Sequence, residues 1–497
     1  MSFWKSMLLL PLLVLTLLTQ DAQAGAPPNV ILILMDDMGW RDVGFMGNEF
    51  VETPNLDRLA SEGLVFSNAY ASAPNCAPTR ACLMSGQYTP RHGIYTVVDP
   101  RQLPGSPSHK LMAADSRSEL ETSVVTVAEA LKSGGYSTAF FGMWNLGRGR
   151  TGPMTPGGQG FDKVVFPENL GFGRNEYFDS EGNYLSDRLT DALLEFVEDH
   201  RDRPFFAYLP DHAVHAPYNP KPDLLQKYEQ KLAQSTDRRD NAAAAATVEA
   251  VDQNVGRIMT RLKELQLLEN TVVIFTSDNG GTNQFTPPLK GGKGQLYEGG
   301  IRIPLVVSWP GLKNPGRVSD VPVASVDWYP TLLELADLKT PADHLLDGLS
   351  LAPALRDEQL PDREFMFWHF PCYVGRSTPS SAVRAGDWKL IEFFEDGGSL
   401  ELYNLKDDPN EERDLSRTNP EKTSQLRDVL KNWQRETGAA LPPGPNPAFD
   451  PKAERQRGPN PGEGQPRGGG GGGGGGGMKG GGQKKGQKGR GGRPAVE

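Results

Sequence analysis

The 497-residue sequence predicts an α/β protein. It should hold a large, mainly parallel sheet sandwiched by helices, then a smaller α+β domain of antiparallel sheet plus one helix. Three observations carry this prediction. Short β-rich apolar runs alternate with helical patterns up to about residue 360, as parallel strands joined by crossover helices require. The run at 30–34 has no polar residue, which suits a strand covered on both faces. Beyond 360 the apolar runs follow one another without intervening helices, as in an antiparallel sheet.

Taken in order, the run at 30–34 is the first strand. Thr53 then stands as the N-cap of a helix with Pro54 at its first position and Gly63 just past its end. Cys76 lies in a proline-containing loop entering a short helix that runs toward Gly86, with Pro78 near the first helical position. Strands at 138–141, 205–209, 272–276 and 304–307 are expected between helices at 124–133, 184–200, about 241–267 and 327–336. In the small domain, strands at 364–368, 382–384, 389–393 and 401–403 precede a helix at 421–434. The expected division is 25–360 for the catalytic domain, 361–440 for the small domain and 441–497 for a tail. That tail is Pro/Gly-rich, with an unbroken glycine run at 468–477 and a basic end, and should be disordered.

Lys5, the apolar run 7–18 and Ala22-Gln23-Ala24 read as a signal peptide, residues 1–24, cleaved after Ala24. The run is shorter than the roughly 20 apolar residues that a membrane span needs. The expectation is export to the periplasm or the extracellular space, with no transmembrane span in the mature chain. A formal charge of −10 argues against nucleic acid as partner, so an anionic substrate would need a local basic pocket. Three cysteines are too few for a disulfide scaffold, and whether Cys82 pairs with Cys372 is open.

Ligand sites in open parallel sheets form beyond the carboxyl ends of strands. Asp36 and Asp37 follow the first strand, and Asp278 and Asn279 follow the strand at 272–276. Either pair alone is also an ordinary turn former. Together they form an all-oxygen set that favours a hard cation, Ca2+ ahead of Mg2+. A nucleophile at Cys76 would have helix N-terminal amides aimed at an anion, with Arg80 beside it as a fixed charge.

Cys76-Ala77-Pro78-Thr79-Arg80, followed by Leu83-Met84-Ser85-Gly86 and preceded by Asp36-Asp37, resembles the type I sulfatases of the alkaline-phosphatase-like superfamily. Matching segments continue over most of 29–436, including Arg384-Ala385-Gly386-Asp387-Trp388-Lys389-Leu390. The resemblance implies that a formylglycine-generating enzyme oxidises Cys76 to formylglycine, whose hydrate attacks sulfur. It implies a Ca2+ site of Asp36, Asp37, the Cys76-derived group, Asp278 and Asn279. His215, in His215-Ala216-Pro217, matches the family's active-site histidine, and Lys293 its sulfate-binding lysine. The implied catalytic set is therefore Cys76, Arg80, His215 and Lys293. An unmodified thiolate at Cys76 is the rival nucleophile.

One segment departs from the pattern. Where the family reads Gly-Lys-Trp-His-Leu-Gly, this chain reads Gly142-Met143-Trp144-Asn145-Leu146-Gly147. Met143 replaces a lysine that binds sulfate, and Asn145 a histidine that contacts the hydrated aldehyde. Asn can donate a hydrogen bond but cannot shuttle a proton. Arg148 follows at once and could supply charge, as could Arg150. Asn145, Arg148, Lys290, His212 and His369 are the expected substrate-binding residues. The implied activity is hydrolysis of O-sulfate esters on sulfated sugars, polysaccharides or aryl sulfates. The alternatives are a phosphate mono- or diester hydrolase of the same fold and a weakened pseudo-sulfatase that binds sulfated glycans.

Overall fold

The computed structural model describes residues 27–97, 106–173, 176–237, 239–282, 286–374 and 377–454. The predicted leader, 1–24, and the glycine run lie outside the described residues. Among the described residues no helix is long and apolar enough to cross a membrane.

An eight-stranded sheet has the order β5-β4-β6-β1-β7-β8-β2-β9. At its centre β1 (Asn29–Met35) pairs in parallel with β6 (Phe205–Asp211) and β7 (Thr271–Ser277). Outward from β6 lie β4 (Ser137–Phe141) and β5 (Lys163–Val165), both parallel. Outward from β7 lie β8 (Leu305–Ser308), antiparallel to it, then β2 (Leu64–Phe66) and β9 (Arg317–Ser319). Side-chain alternation along β1 explains why its sequence is apolar throughout. Ile31, Ile33 and Met35 enter the core under the helices Leu185–Asp199 and Ala242–Glu264. Val30, Leu32 and Leu34 enter the opposite core, under Val127–Ser133 and Trp328–Leu335.

The strands β11 (Met366–Phe370), β12 (Ser380–Ala385), β13 (Trp388–Phe393) and β14 (Ser399–Asn404) form an antiparallel sheet. The helix Pro420–Thr437 packs on it. Its core is shared with Tyr70, Cys82, Tyr88 and Tyr95 of the large domain. A buried ionic knot joins the two sheets. Lys389, fully buried, places Nζ 2.9 Å from Glu298 Oε1 and 2.9 Å from Glu411 Oε1. Tyr70 donates to Glu298 Oε2 at 2.7 Å.

Three expectations change, and the open question of Cys82 and Cys372 is answered. The helix expected from 124 begins at Val127, because Thr126 and Glu129 form a capping box that fixes its start. Thr53 is an N-cap by position only: its hydroxyl accepts from Gly44 N, and Asp252 takes the Asn55 and Leu56 amides instead. Cys82 and Cys372 are free and buried, and Cys82 Sγ lies 3.4 Å from His92 Nε2. Residues 444–450 of the tail expected from 441 are instead tied to the body: Met112 N donates to Gly444 O, Asn446 N to Lys110 O and Asp450 N to Pro107 O. The β-bridge Leu111–Pro445 sits between the first two of those bonds.

Candidate active site

The carboxyl ends of β1 and β7 stand side by side, Met35 in register with Ser277. That register brings Asp36 and Asp37 against Asp278 and Asn279 from 241 residues away: Asp37 N donates to Asp278 Oδ1 at 3.2 Å. Asp37 has φ +71°, a conformation Asp tolerates better than most residues. Cys76 begins a ten-residue helix, Cys76–Ser85, every residue of which is buried. Lys293 reaches the same point on a loop pinned by Gly294 N to Pro74 O (2.7 Å) and Lys293 N to Gly281 O (3.0 Å).

Arg80, fully buried, bridges the carboxylates. Its Nη2 lies 2.9 Å from Asp36 Oδ2 and 2.8 Å from Asp278 Oδ2. Its Nη1 donates to the Met143 carbonyl. Lys293 Nζ lies 2.5 Å from Asp37 Oδ1, and His215 Nε2 lies 3.5 Å from Asp37 Oδ2. Burial, the largest single influence, raises the Asp36 pKa, but the charges of Arg80 and Lys293, with smaller help from His215 and His212, together outweigh it and the carboxyl ends below its usual range. Asp278 is pushed up to about 7, by burial first and then by the charge of Asp36. Burial also lifts the Cys76 thiol well above its usual value, against the pull of Lys293. These protein groups alone therefore hold Cys76 protonated at neutral pH, which disfavours a thiolate nucleophile.

A cation fits here. Asp36 Oδ1 and Asn279 Oδ1 are buried acceptors without a hydrogen-bond partner. Candidate ligand atoms of Asp36, Cys76 and Asp278 lie within 4.8 Å of one another, as do those of Asp36, Asp37 and His215. An oxygen-dominated set with orphaned acceptors suits a hard divalent ion.

A cavity of about 1150 Å3 opens over this cluster, lined by Asp36, Cys76, Met143, Asn145, Arg148, Arg150, His212, His215 and Lys293 among others. Gly142 turns the chain from β4 into its wall at φ +133°, and a Cβ there would meet Pro210 O at 2.2 Å. Asn145 sits at φ +59°. Arg150 lies 4.3 Å from the Phe166 ring centroid and is ion-paired with Glu168, so its charge is already engaged. His212 is buried on the cavity wall with Nδ1 unpartnered, and burial lowers its pKa.

Two expected substrate residues lie elsewhere. Lys290 donates to Tyr403 OH at 2.9 Å and stands 4.1 Å from the Tyr297 ring, bracing β14 rather than facing the cavity. His369 points into the core of the small sheet, hydrogen-bonded to Ser381 Oγ and the Ala440 carbonyl, because alternation along β11 turns it inward. Sequence reasoning missed Tyr177, Glu168 and Tyr373, which also line the cavity. They come from loops with no periodicity or motif to mark them.

Acceptors for a hard cation, a helix N-terminus and fixed cationic side chains in one cavity define a hydrolase of anionic esters. The sulfatase family model matches residues 28–338, and the model described as N-sulphoglucosamine sulphohydrolase, C-terminal, matches 292–436. The chain is 34% identical to a sulfatase of Formosa agariphila over 514 residues, covering 86% of this chain and 92% of that protein. It is 34% identical to human N-acetylgalactosamine-6-sulfatase, covering 69% of each, and 31% identical to human arylsulfatase A, covering 82% and 87%. Among solved structures, Ps i-CgsB aligns with TM-score 0.69 at 29% identity, covering 82% of this chain and 92% of that one. That protein has also been solved in complex with k-i-k-neocarrahexaose. The chain belongs to the sulfatase family, whose members hydrolyse sulfuric esters.

Proposed function

We propose that this protein is an exported sulfatase that removes O-sulfate from sulfated sugars or polysaccharides, using a formylglycine made from Cys76 and a bound Ca2+. The observation that carries the reading is the position of Cys76. It opens a buried helix whose N-terminal amides would suit an anionic group, and its Sγ lies within 4.8 Å of the ligand atoms of Asp36 and Asp278. Asp36, Asp37, Asp278 and Asn279 would hold the cation, which when bound polarises sulfate oxygen and eases deprotonation of the nucleophile. The hydrated aldehyde supplies a hydroxyl nucleophile that the buried thiol does not.

The chain's own side chains do the rest. Arg80 fixes Asp36 and Asp278 in place. Lys293 supplies positive charge at the sulfate, on a loop whose hydrogen bonds leave it little freedom. His215, its side chain 40% exposed on the cavity lining, can donate a proton from Nε2 to the leaving alcohol. A sulfated sugar as substrate is supported by the names of the relatives, an N-acetylgalactosamine-6-sulfatase among them, and by the k-i-k-neocarrahexaose in the complex of Ps i-CgsB. Export rests on the leader-like residues 1–24.

Peptide mass spectrometry at Cys76 combined with sulfate-release assays tests the reading. The Cys76 peptide should be lighter than the thiol form by the difference between CH2SH and CHO, and Cys76→Ala should abolish sulfate release without unfolding the protein. Met143 and Asn145 motivate one other reading, a pseudo-sulfatase, which would bind sulfated glycan tightly without turnover. Turnover of phosphate mono- or diesters ahead of sulfate esters would instead place the chain among phosphoester hydrolases of this fold.

A further inference from the structure

The chain leaving the last long helix runs beyond both family models, which end at 338 and 436. Residues 440–450 are nevertheless tied down along their length. Ala440 N donates to Tyr95 OH at 3.2 Å, and Ala440 O accepts from His369 Nε2 at 2.8 Å. Met112 N donates to Gly444 O at 2.9 Å, Asn446 N to Lys110 O at 2.8 Å and Asp450 N to Pro107 O at 2.7 Å. The Asn446 side chain, 8% exposed, donates to Ser106 O at 3.1 Å and His109 O at 2.8 Å. One amide thus satisfies two carbonyls of a stretch that has no strand partner of its own. Pro442, Pro443, Pro445 and Pro447 reduce the entropy lost when this segment orders.

The stretch braced in this way holds one rim of the cavity. The His109 ring stacks on Tyr373 with centroids 3.9 Å apart and planes 5° from parallel. Leu111 N donates to Tyr373 OH at 3.0 Å, and that hydroxyl donates to Glu395 Oε1 at 2.6 Å. Tyr373 and its neighbour Val374 line the cavity together with Cys76 and Lys293. Residues ordered by 440–450 therefore fix Tyr373 at both its ring face and its hydroxyl.

We propose that residues 440–450 are a strap that positions Tyr373 as a specificity-determining contact for the part of a sulfated sugar extending beyond the sulfate. This rests on the sulfated-sugar reading above. An aromatic side chain held at a polar rim suits the mixed apolar and hydroxylated face of a sugar ring. Asn446 is a positioning residue that acts through the 106–112 stretch. A small aryl sulfate occupies the cavity floor around Cys76 and does not call on this rim.

The test uses 4-nitrophenyl sulfate as the small probe. The extended probe is the best-turned-over member of a pool of sulfated tetra- to hexasaccharides from chondroitin 6-sulfate and carrageenan. Full-length protein is compared with Asn446→Ala, Tyr373→Ala, their double variant and chains ending at Glu454 and Gly438. Chains ending at Glu454 should match the full-length protein. Asn446→Ala and Tyr373→Ala should each raise KM for the oligosaccharide about 10-fold with kcat within 2-fold, and Asn446→Ala should leave 4-nitrophenyl sulfate kinetics unchanged. The double variant should be no worse than Tyr373→Ala alone, since both act on one contact. The Gly438 chain should behave like Asn446→Ala or worse. Hydrogen exchange at the amides of Met112 and Leu111 should speed up in Asn446→Ala.

Equal losses on both probes would show a general structural role and overturn the proposal. So would faster exchange at 111–112 with an unchanged oligosaccharide KM. If the full-length protein hydrolyses no oligosaccharide, the function proposed above fails for sugars. The strap is then judged by equilibrium binding of the pool to Cys76→Ala protein. An affinity lowered about 10-fold by Asn446→Ala sustains it, and an unchanged or undetectable affinity overturns it.

Discussion

Replacing Arg80 by methionine keeps most of the side chain's bulk and deletes the guanidinium that Asp36 and Asp278 share. Both carboxylates are buried, and Arg80 is fully enclosed. Removing one partner of a buried ion pair typically costs about 3–5 kcal/mol, because the remaining charge is stranded. Here part of that cost is relieved, since Asp278 already titrates at about 7 and can take up a proton. In EDTA at neutral pH the variant should therefore lose about 3 kcal/mol of stability. For a chain of this size that corresponds to a fall in Tm of roughly 3 °C. Ca2+ changes the balance, because two carboxylates released from a guanidinium have more charge to offer a cation. Saturating Ca2+ should thus raise the Tm of Arg80→Met by more than it raises that of the wild type. Scanning calorimetry in EDTA and across a Ca2+ titration reads both quantities. Arg80→Lys should fall between them, since one ammonium cannot reach both carboxylates in the geometry of a planar fork. A Tm in EDTA within about 1 °C of wild type would refute the stranded-charge argument. Equal Ca2+ shifts in the two proteins would refute the shared cation site.

Chelation should abolish sulfate release, with Ca2+ restoring it better than Mg2+; full activity in metal-free buffer, verified by elemental analysis, would rule out the metal role. Met143→Lys combined with Asn145→His should raise kcat/KM for 4-nitrophenyl sulfate about 10-fold, since each adds a group acting on charge at the sulfate. The φ of +59° at Asn145 is one His also tolerates, and Arg150 is already taken by Glu168, so a fall in activity would instead indicate a pocket rebuilt around Arg148. Burial pushes Asp42 up to about 7, so the folded state binds more protons than the unfolded state between the ordinary Asp value and about pH 7. The stability of the wild type should therefore fall as pH rises through that window. Asp42→Asn should remove a stability change of roughly 4 kcal/mol across that window, measured by urea unfolding from pH 4 to 8, and an unchanged pH dependence would show that another group carries it.

The long strands and helices were legible because burial leaves a periodic trace. β1 is covered on both faces, and 242–264 carries a repeated apolar stripe. β2, β3 (Ala69–Tyr70), β5, β9 and β10 (Val323–Ala324) are two or three residues each, too short for any alternation to register. At the site, residues at strand ends and in motif segments could be named in advance: Asp36, Asp37, Cys76, Arg80, Asp278, Asn279, His215 and Lys293 all converge. Lys290 and His369 were misplaced because neither a lone lysine in a glycine-rich loop nor a strand histidine declares which way it faces. Proline-rich composition after 441 suggested disorder, whereas ordering there depends on carbonyls offered by 106–110, more than 330 residues away in sequence.

The ionic knot of Lys389, Glu298 and Glu411 has a bearing on motion. Prying the small domain from the large one would strand Glu298 without the lysine it shares with Glu411, a buried carboxylate left unpaired before water could reach it. The two sheets therefore have no inexpensive hinge between them and should melt together as one cooperative unit rather than in sequence. Substrate traffic must then pass over the loops at the mouth of the cavity, and any step that limits turnover by opening belongs to those loops and not to a swing of the domains.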